Sequence, residues 1–186
     1  DRRWTDKVPG TYRPFDVGPD GVPDMVKAGQ GYRIHVTGLT HDERGWPAMN
    51  PKQQDKLVRR LTSKIRDNAD ALTDIREEGC EDADVIVVSY GITSRVATAA
   101  IQQAREKGLK VGHARLVVTW PFPATRIAYL ATRCKAMVVP ELNLGQMVHE
   151  VSRAVAGRVP VRLVDHAGGT VHDPQVILDR ILEAAR

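Results

Sequence analysis

The stretch at residues 83–95, ADVIVVSYGITSR, constrains the fold more than any other part of the chain. Val85, Ile86, Val87 and Val88 form a short β-branched run unbroken by charge, the pattern of a strand buried on both faces. Tyr90 and Gly91 end the run. Thr93 and Ser94 follow as helix N-cap types, and a small-residue helix over residues 96–107 stops at Gly108. Strand, glycine turn and capped helix make the first half of a βαβ unit.

The chain then repeats that theme. Residues 109–118 read as a second strand, ending in the rigid aromatic turn Trp120, Pro121, Phe122, Pro123. A helix over 124–133 turns Ile127 and Leu130 inward. Residues 136–140 are a third strand feeding the loop ELNLGQ at 141–146. The next helix presents Met147, Val148, Val151 and Val155 and ends at Gly157. Residues 159–164 make a fourth strand. Gly168 and Gly169 form a turn, and Asp173 with Pro174 opens a last helix buried through Ile177, Ile181 and Leu182. This alternation with short connections predicts an α/β fold: a mostly parallel sheet with helices on both faces.

The lead-in is of another kind. Residues 1–31 carry four prolines and five glycines, a density at which no helical or strand period survives. Such a long irregular segment reads as an interdomain linker lying on a surface. Residues 32–37, YRIHVT, alternate and are expected to form a short strand at the sheet edge. Asn50 caps and Pro51 starts a long helix whose apolar stripe is Leu57, Leu61, Ile65, Leu72 and Ile75. That helix is expected to run about 25 residues, roughly 40 Å, and to pack on a core. The division predicted is a linker and loop over 1–48 and an α/β domain over 49–186.

Charge and cysteine content exclude several functions. The net charge is +4 with a pI near 9.2, but no block of like charge occurs, so no nucleic-acid or membrane-surface patch is expected. Cys80 and Cys134 sit in no CxxC or Cys/His pattern and read as reduced thiols of a cytoplasmic protein. An iron–sulfur cluster usually takes four cysteines, and this chain has two. No apolar run approaches transmembrane length, and no signal peptide is visible. The chain opens at Asp1 rather than methionine, which reads as a piece of a longer polypeptide, whether processed or truncated.

In open α/β sheets, ligands sit beyond the carboxyl ends of the strands. Residues 90–94 there have the shape of a phosphate cradle, but with one glycine and no GxGxxG or GxxxxGK[ST]. Glu141, Asn143 and Gln146 are the most suggestive polar group: a carboxylate and two amides leaving a buried strand into a short loop. They suit either a ligand or a loop ordered at a subunit contact. The second is preferred, because no nucleophile–base pair accompanies them. His149 reads as a packed histidine, and Ser89 and Ser94 lack the G-x-S-x-G elbow of a hydrolase. His41, Asp42, Glu43 and Arg44 lie in a turn between two glycines. They lack partner ligands at helical spacing, which disfavours a metal site, and although loops carry function, a solvated loop is favoured over a catalytic cluster.

Five segments in order, GLTHDERGWP, DADVIVVSYGITSR, KVGHARLVVTWPFP, VVPELNLGQM and the helix between the first two, carry a resemblance. From about residue 32 onward the chain resembles the C-terminal region of the α subunit of 2-oxoacid:ferredoxin oxidoreductases, the 2-oxoglutarate type in particular. The resemblance implies a three-layer α/β/α sandwich like the C-terminal domain of transketolase, preceded by an irregular linker and a long helix. It implies that a pyrimidine-binding thiamine diphosphate domain precedes this region in the intact subunit. Thiamine diphosphate, Mg2+ and a [4Fe-4S] cluster would be held by the complete complex and none by this piece alone. The partners implied are a β subunit and a second α/β pair, with ferredoxin and coenzyme A used by the whole assembly. The reaction implied takes 2-oxoglutarate, CoA and oxidised ferredoxin to succinyl-CoA, CO2 and reduced ferredoxin. No catalytic residue carries over. His41, Asp42 and Arg44 would lie near neighbouring domains, and Glu141, Asn143 and Gln146 would order a subunit contact. The other readings are a stand-alone small-molecule binding module of doubly wound type, and a fragment of another thiamine-dependent 2-oxoacid enzyme.

Overall fold

The computed structural model describes residues 2–186, and the chain divides into two compact units, residues 1–71 and 72–186. The first unit is mostly irregular, as its glycines and prolines require. Isolated bridges tie Trp4 to Met25, Val17 to Pro23 and His41 to Pro47. Residues 32–37 form no strand, contrary to their alternation. Ile34 and Val36 stay exposed, and alternation without a partner strand supplies no ladder. Instead, His35 stacks on Trp46 with ring centroids 4.9 Å apart.

Helix α1 spans Pro51–Arg66, with the Asn50 side chain accepting from the Gln53 N–H as the expected cap. It is shorter than the periodicity predicts. Asp67 and Asn68, which compete for backbone hydrogen bonds, end it, and a single turn, α2 (Ala69–Leu72), follows. At 16 residues α1 measures about 24 Å. None of its residues is fully buried within the described chain, and Val58 and Leu61 are exposed, so the stripe does not sit on a core here.

The second unit is the layered domain. Ile75, read from the sequence as the last stripe position of the helix, instead opens strand β1 (Ile75–Glu78). Then follow β2 (Val85–Tyr90), α3 (Thr93–Glu106), β3 (Val111–Leu116), α4 (Ala124–Leu130), β4 (Ala136–Glu141), α5 (Met147–Val155), β5 (Val161–Asp165) and α6 (Pro174–Ala184). The sheet order is β1-β3-β2-β4-β5, parallel throughout except for β1, which pairs antiparallel with β3. The edge position assigned by sequence to residues 32–37 therefore belongs to β1.

The central strand β2 and its neighbour β4 explain the continuous apolar runs. All six residues of β4 are buried, as are five of the six in β2. Val85, Val87, Val111 and Val138 face α3 and α6 together with Ala97, Ile101, Ile177 and Ile181. Ile86, Val88, Leu116, Met137 and Val139 face the opposite way, onto Ile127, Leu130, Val148 and Val151 of α4 and α5. The result is the three-layer α/β/α sandwich, with the strand ends of β2 and β4 adjacent.

Gly112 fixes how closely the Gly79–Cys80 corner lies against β3. A Cβ there would come within 2.9 Å of both the Cys80 sulfur and the Gly79 carbonyl oxygen. Both neighbours are confined, the sulfur being buried and the carbonyl being backbone. Gly112→Ala is expected to destabilise the layered unit by about 1–3 kcal/mol through overpacking. Urea unfolding of the two proteins checks this, and an unchanged midpoint contradicts it.

Candidate functional site

β4 delivers Glu141 to the carboxyl end of the sheet, where its side chain is 0 % exposed. An unpaired carboxylate there would be very costly. It is instead saturated. One oxygen accepts the Val148 N–H at 2.7 Å; the other accepts the N–H groups of Met147 at 2.9 Å and Gln146 at 3.1 Å, and the Tyr90 hydroxyl at 3.0 Å. These amides belong to the first turn of α5 and its N-cap residue, which carries no side-chain cap of its own. The carboxylate thus caps α5 from an adjacent strand and sits at the positive end of its dipole.

Asn143 extends the network. Its side-chain N–H donates to the Tyr90 oxygen at 3.1 Å, and its carbonyl oxygen accepts the Gly145 N–H at 2.8 Å. Gly145 has φ +110°, and a Cβ there would press on Leu163 and Val148 at 3.2 Å. Burial pushes the Glu141 carboxyl up. The N–H groups of Met147 and Val148, with Tyr90 and Asn143, outweigh that and hold it below its ordinary value. Burial, then the bond to Glu141, raises the Tyr90 phenol.

The structure therefore joins Glu141, Asn143 and Gln146, with one change of role. Gln146 contributes its backbone N–H while its side chain is exposed. Tyr90 was missed as a member. Its only sequence signal was its place at the end of the organising strand.

A second polar cluster lies on the other face of the sheet. Ser89 is fully buried, donates to the Ser94 hydroxyl at 2.9 Å and lies 2.7 Å from His113 Nε2. Thr93 and Ser94 are not caps, contrary to the sequence reading. The N-cap of α3 is Ile92, without a side-chain bond; Thr93 donates to the Tyr90 carbonyl and Ser94 turns inward. Burial holds the His113 imidazole below its ordinary value, so this cluster favours the neutral ring.

His41, Asp42 and Arg44 belong to the first unit. One oxygen of Asp42 accepts the N–H groups of Arg44 at 2.9 Å and Trp46 at 3.1 Å, and the other takes two bonds from the Arg44 guanidinium at 3.0 and 2.8 Å. The Arg44 bonds first, then the backbone bonds, lower the Asp42 carboxyl. His41 is buried against Phe15, with ring centroids 4.1 Å apart, and its carbonyl accepts the Gln53 side chain at 2.7 Å. The loop is thus self-bonded, with His41 buried and Arg44 open to solvent. It lines a cavity of about 260 Å³ with Arg13, Lys56 and Arg60.

The donor set does not suit an iron–sulfur cluster. Burial pushes both Cys80 and Cys134 up to about 11, so neither is a ready thiolate. Among the described residues no three His, Cys, Asp or Glu side chains are placed to share a metal ion, and no helix is long and apolar enough to cross a membrane.

Residues 83–177 match the family described as pyruvate:ferredoxin oxidoreductase core domain II. The chain is 45% identical over its whole length to the 2-oxoglutarate synthase subunit KorA of Methanothermobacter thermautotrophicus, covering 50% of that protein. It spans about half the length of the curated relatives it matches. A solved 2-oxoglutarate:ferredoxin oxidoreductase from Magnetococcus marinus, with 2-oxoglutarate, coenzyme A and succinyl-CoA bound, superposes on the whole chain. Its TM-score is 0.73 at 26% identity, over 32% of that structure's chain. A split-gene transketolase matches 59% of this chain and 41% of its own, with TM-score 0.51 and 17% identity, a likeness of fold alone.

Glu141→Ala leaves the first-turn amides of α5 and the Tyr90 hydroxyl without their acceptor, and is expected to cost about 2–4 kcal/mol. The folded carboxyl lies below its ordinary 4.5, so its contribution is complete above that pH and is lost as pH falls through the lowered value. Acid titration of stability is expected to be flatter below pH 4.5 in the variant than in the parent. Equal slopes contradict the assignment.

Proposed function

The chain belongs to the pyruvate:ferredoxin oxidoreductase core domain II family, and from that premise we propose that it serves a thiamine diphosphate-dependent 2-oxoglutarate:ferredoxin oxidoreductase as an assembly domain of the α subunit. The reaction is 2-oxoglutarate, CoA and oxidised ferredoxin to succinyl-CoA, CO2 and reduced ferredoxin. The observation that carries this reading is the 45% identity across the entire chain to a 2-oxoglutarate synthase subunit. The division into a linker and loop over 1–48 and a transketolase-like domain over 49–186 is part of the same proposal.

In this reading thiamine diphosphate, Mg2+ and the [4Fe-4S] cluster are held by the complete complex. The cofactor supplies the carbon chemistry, and this chain's residues position neighbours. Glu141, Asn143 and the Gln146 amide hold the loop at 141–146 rigid, so that Leu144, 73% exposed, is presented at low entropic cost to a subunit contact. His41, Asp42 and Arg44 do the same for Trp46, which is 56% exposed, toward neighbouring domains. The partners proposed are the β subunit and a second α/β pair, with ferredoxin and coenzyme A meeting the whole assembly. The compartment proposed is the cytoplasm.

Co-expression with a β subunit of this enzyme class tests the reading. The chain should co-purify with a brown iron–sulfur chromophore, and Leu144→Asp should lower the yield of complex while leaving the isolated chain folded by circular dichroism. Alone, the chain should release no CO2 from 2-oxoglutarate. Turnover by the isolated chain, or no association with the β subunit, contradicts the proposal.

A further inference from the structure

The face of the sheet that carries His113 has a second feature that the assembly role does not use. In the antiparallel register of β1 and β3, Arg76 lies directly opposite Arg115. Like charges at that position destabilise a sheet. The next pair on the same face is Glu78 opposite His113. Arg95, in the first turn of α3, borders the same cavity, together with Ser94 and Thr98. That turn contains no acidic residue, and a cation there opposes the helix dipole. Three exposed arginines thus border one cavity, at positions that both sheet and helix disfavour.

The carboxylates nearby do not neutralise them. Glu77 and Glu78 also line the cavity, but Glu77 is bound by Arg126 at 2.6 Å and Glu78 by Arg105 at 2.5 Å. Arg95 and Arg115 have no carboxylate within 4.0 Å among the described residues, and Arg76 reaches only Asp74, at 3.9 Å. The concavity they border has a volume of about 340 Å³, room for a phosphoryl group and a substituent. We propose that Arg76, Arg95 and Arg115 form a binding site for a phosphate dianion, either free or as the terminal group of a phosphomonoester. A dianion with three terminal oxygens matches three forked donors, whereas a single carboxylate occupies one fork. The anion also bridges the Arg76–Arg115 pair and removes its repulsion.

Isothermal titration of the full 186-residue chain with inorganic phosphate, and separately with phenyl phosphate, tests the site at constant ionic strength in chloride buffer. Saturable one-site binding of both ligands is expected if the cavity admits the substituent, and of phosphate alone if only the free ion is taken. Arg115→Gln and Arg76→Gln should each weaken phosphate binding about tenfold or more. Without phosphate, Arg115→Gln should raise Tm by about 1–4 °C, because the opposed charges are gone. That gain reports on the fold independently of binding, and circular dichroism confirms it in both variants. Absence of phosphate binding, unchanged affinity in both variants, or binding of a polyglutamate peptide but not of phosphate overturns the proposal. None of these outcomes depends on association with a β subunit.

Discussion

The buried carboxylate of Glu141 is the interaction on which the carboxyl edge of the layered unit depends. A helix N-terminus leaves amides without intrahelical partners, and a buried carboxylate leaves lone pairs without water. Each deficit is costly alone. Here they cancel: the strand end supplies the acceptor that α5 lacks, and the helix supplies the donors that the carboxylate requires. Tyr90 and Asn143 then tie the same point to the end of β2 and to the loop. A segment that would otherwise be a mobile connection becomes a fixed edge carrying exposed leucines.

The layered architecture was legible because its signals are local and agree with one another. Runs such as Val85–Val88 and Met137–Val139 are apolar without alternation, which only a doubly covered strand explains. Asn50 and Asp173 cap the helices that their sequence positions announce. The lead-in was less legible, because helical period and strand content overlap. Leu72 and Ile75 continue the stripe of α1 in sequence, but the Asp67–Asn68 break lets Ile75 enter the sheet as β1. Residues 32–37 alternate like a strand and pair with nothing in the first unit. Pattern specifies what a segment can do; a partner decides whether it does so.

The site shows the same division. Glu141 and Asn143 stood out as polar residues leaving a buried strand, and geometry gives them a common centre. Tyr90 did not stand out, because one aromatic at a strand end is ordinary. Ser94 reads as a cap because serine commonly caps, yet its hydroxyl turns inward to Ser89, which in turn meets His113 across 24 residues, a contact that no local pattern encodes. The opposition of Arg76 and Arg115 was likewise invisible until the register of β1 against β3 was known. Long-range register is the information that composition and periodicity lack.

Amide hydrogen exchange tests the central claim most directly. First-turn amides normally exchange freely, since nothing within the helix accepts from them. If the Glu141 carboxylate caps α5, the Met147 and Val148 amides are protected as well as the interior of β4. In Glu141→Ala their protection collapses while that of β2 and β4 persists. Free exchange of those two amides in the parent protein, or protection unchanged by the substitution, contradicts the account.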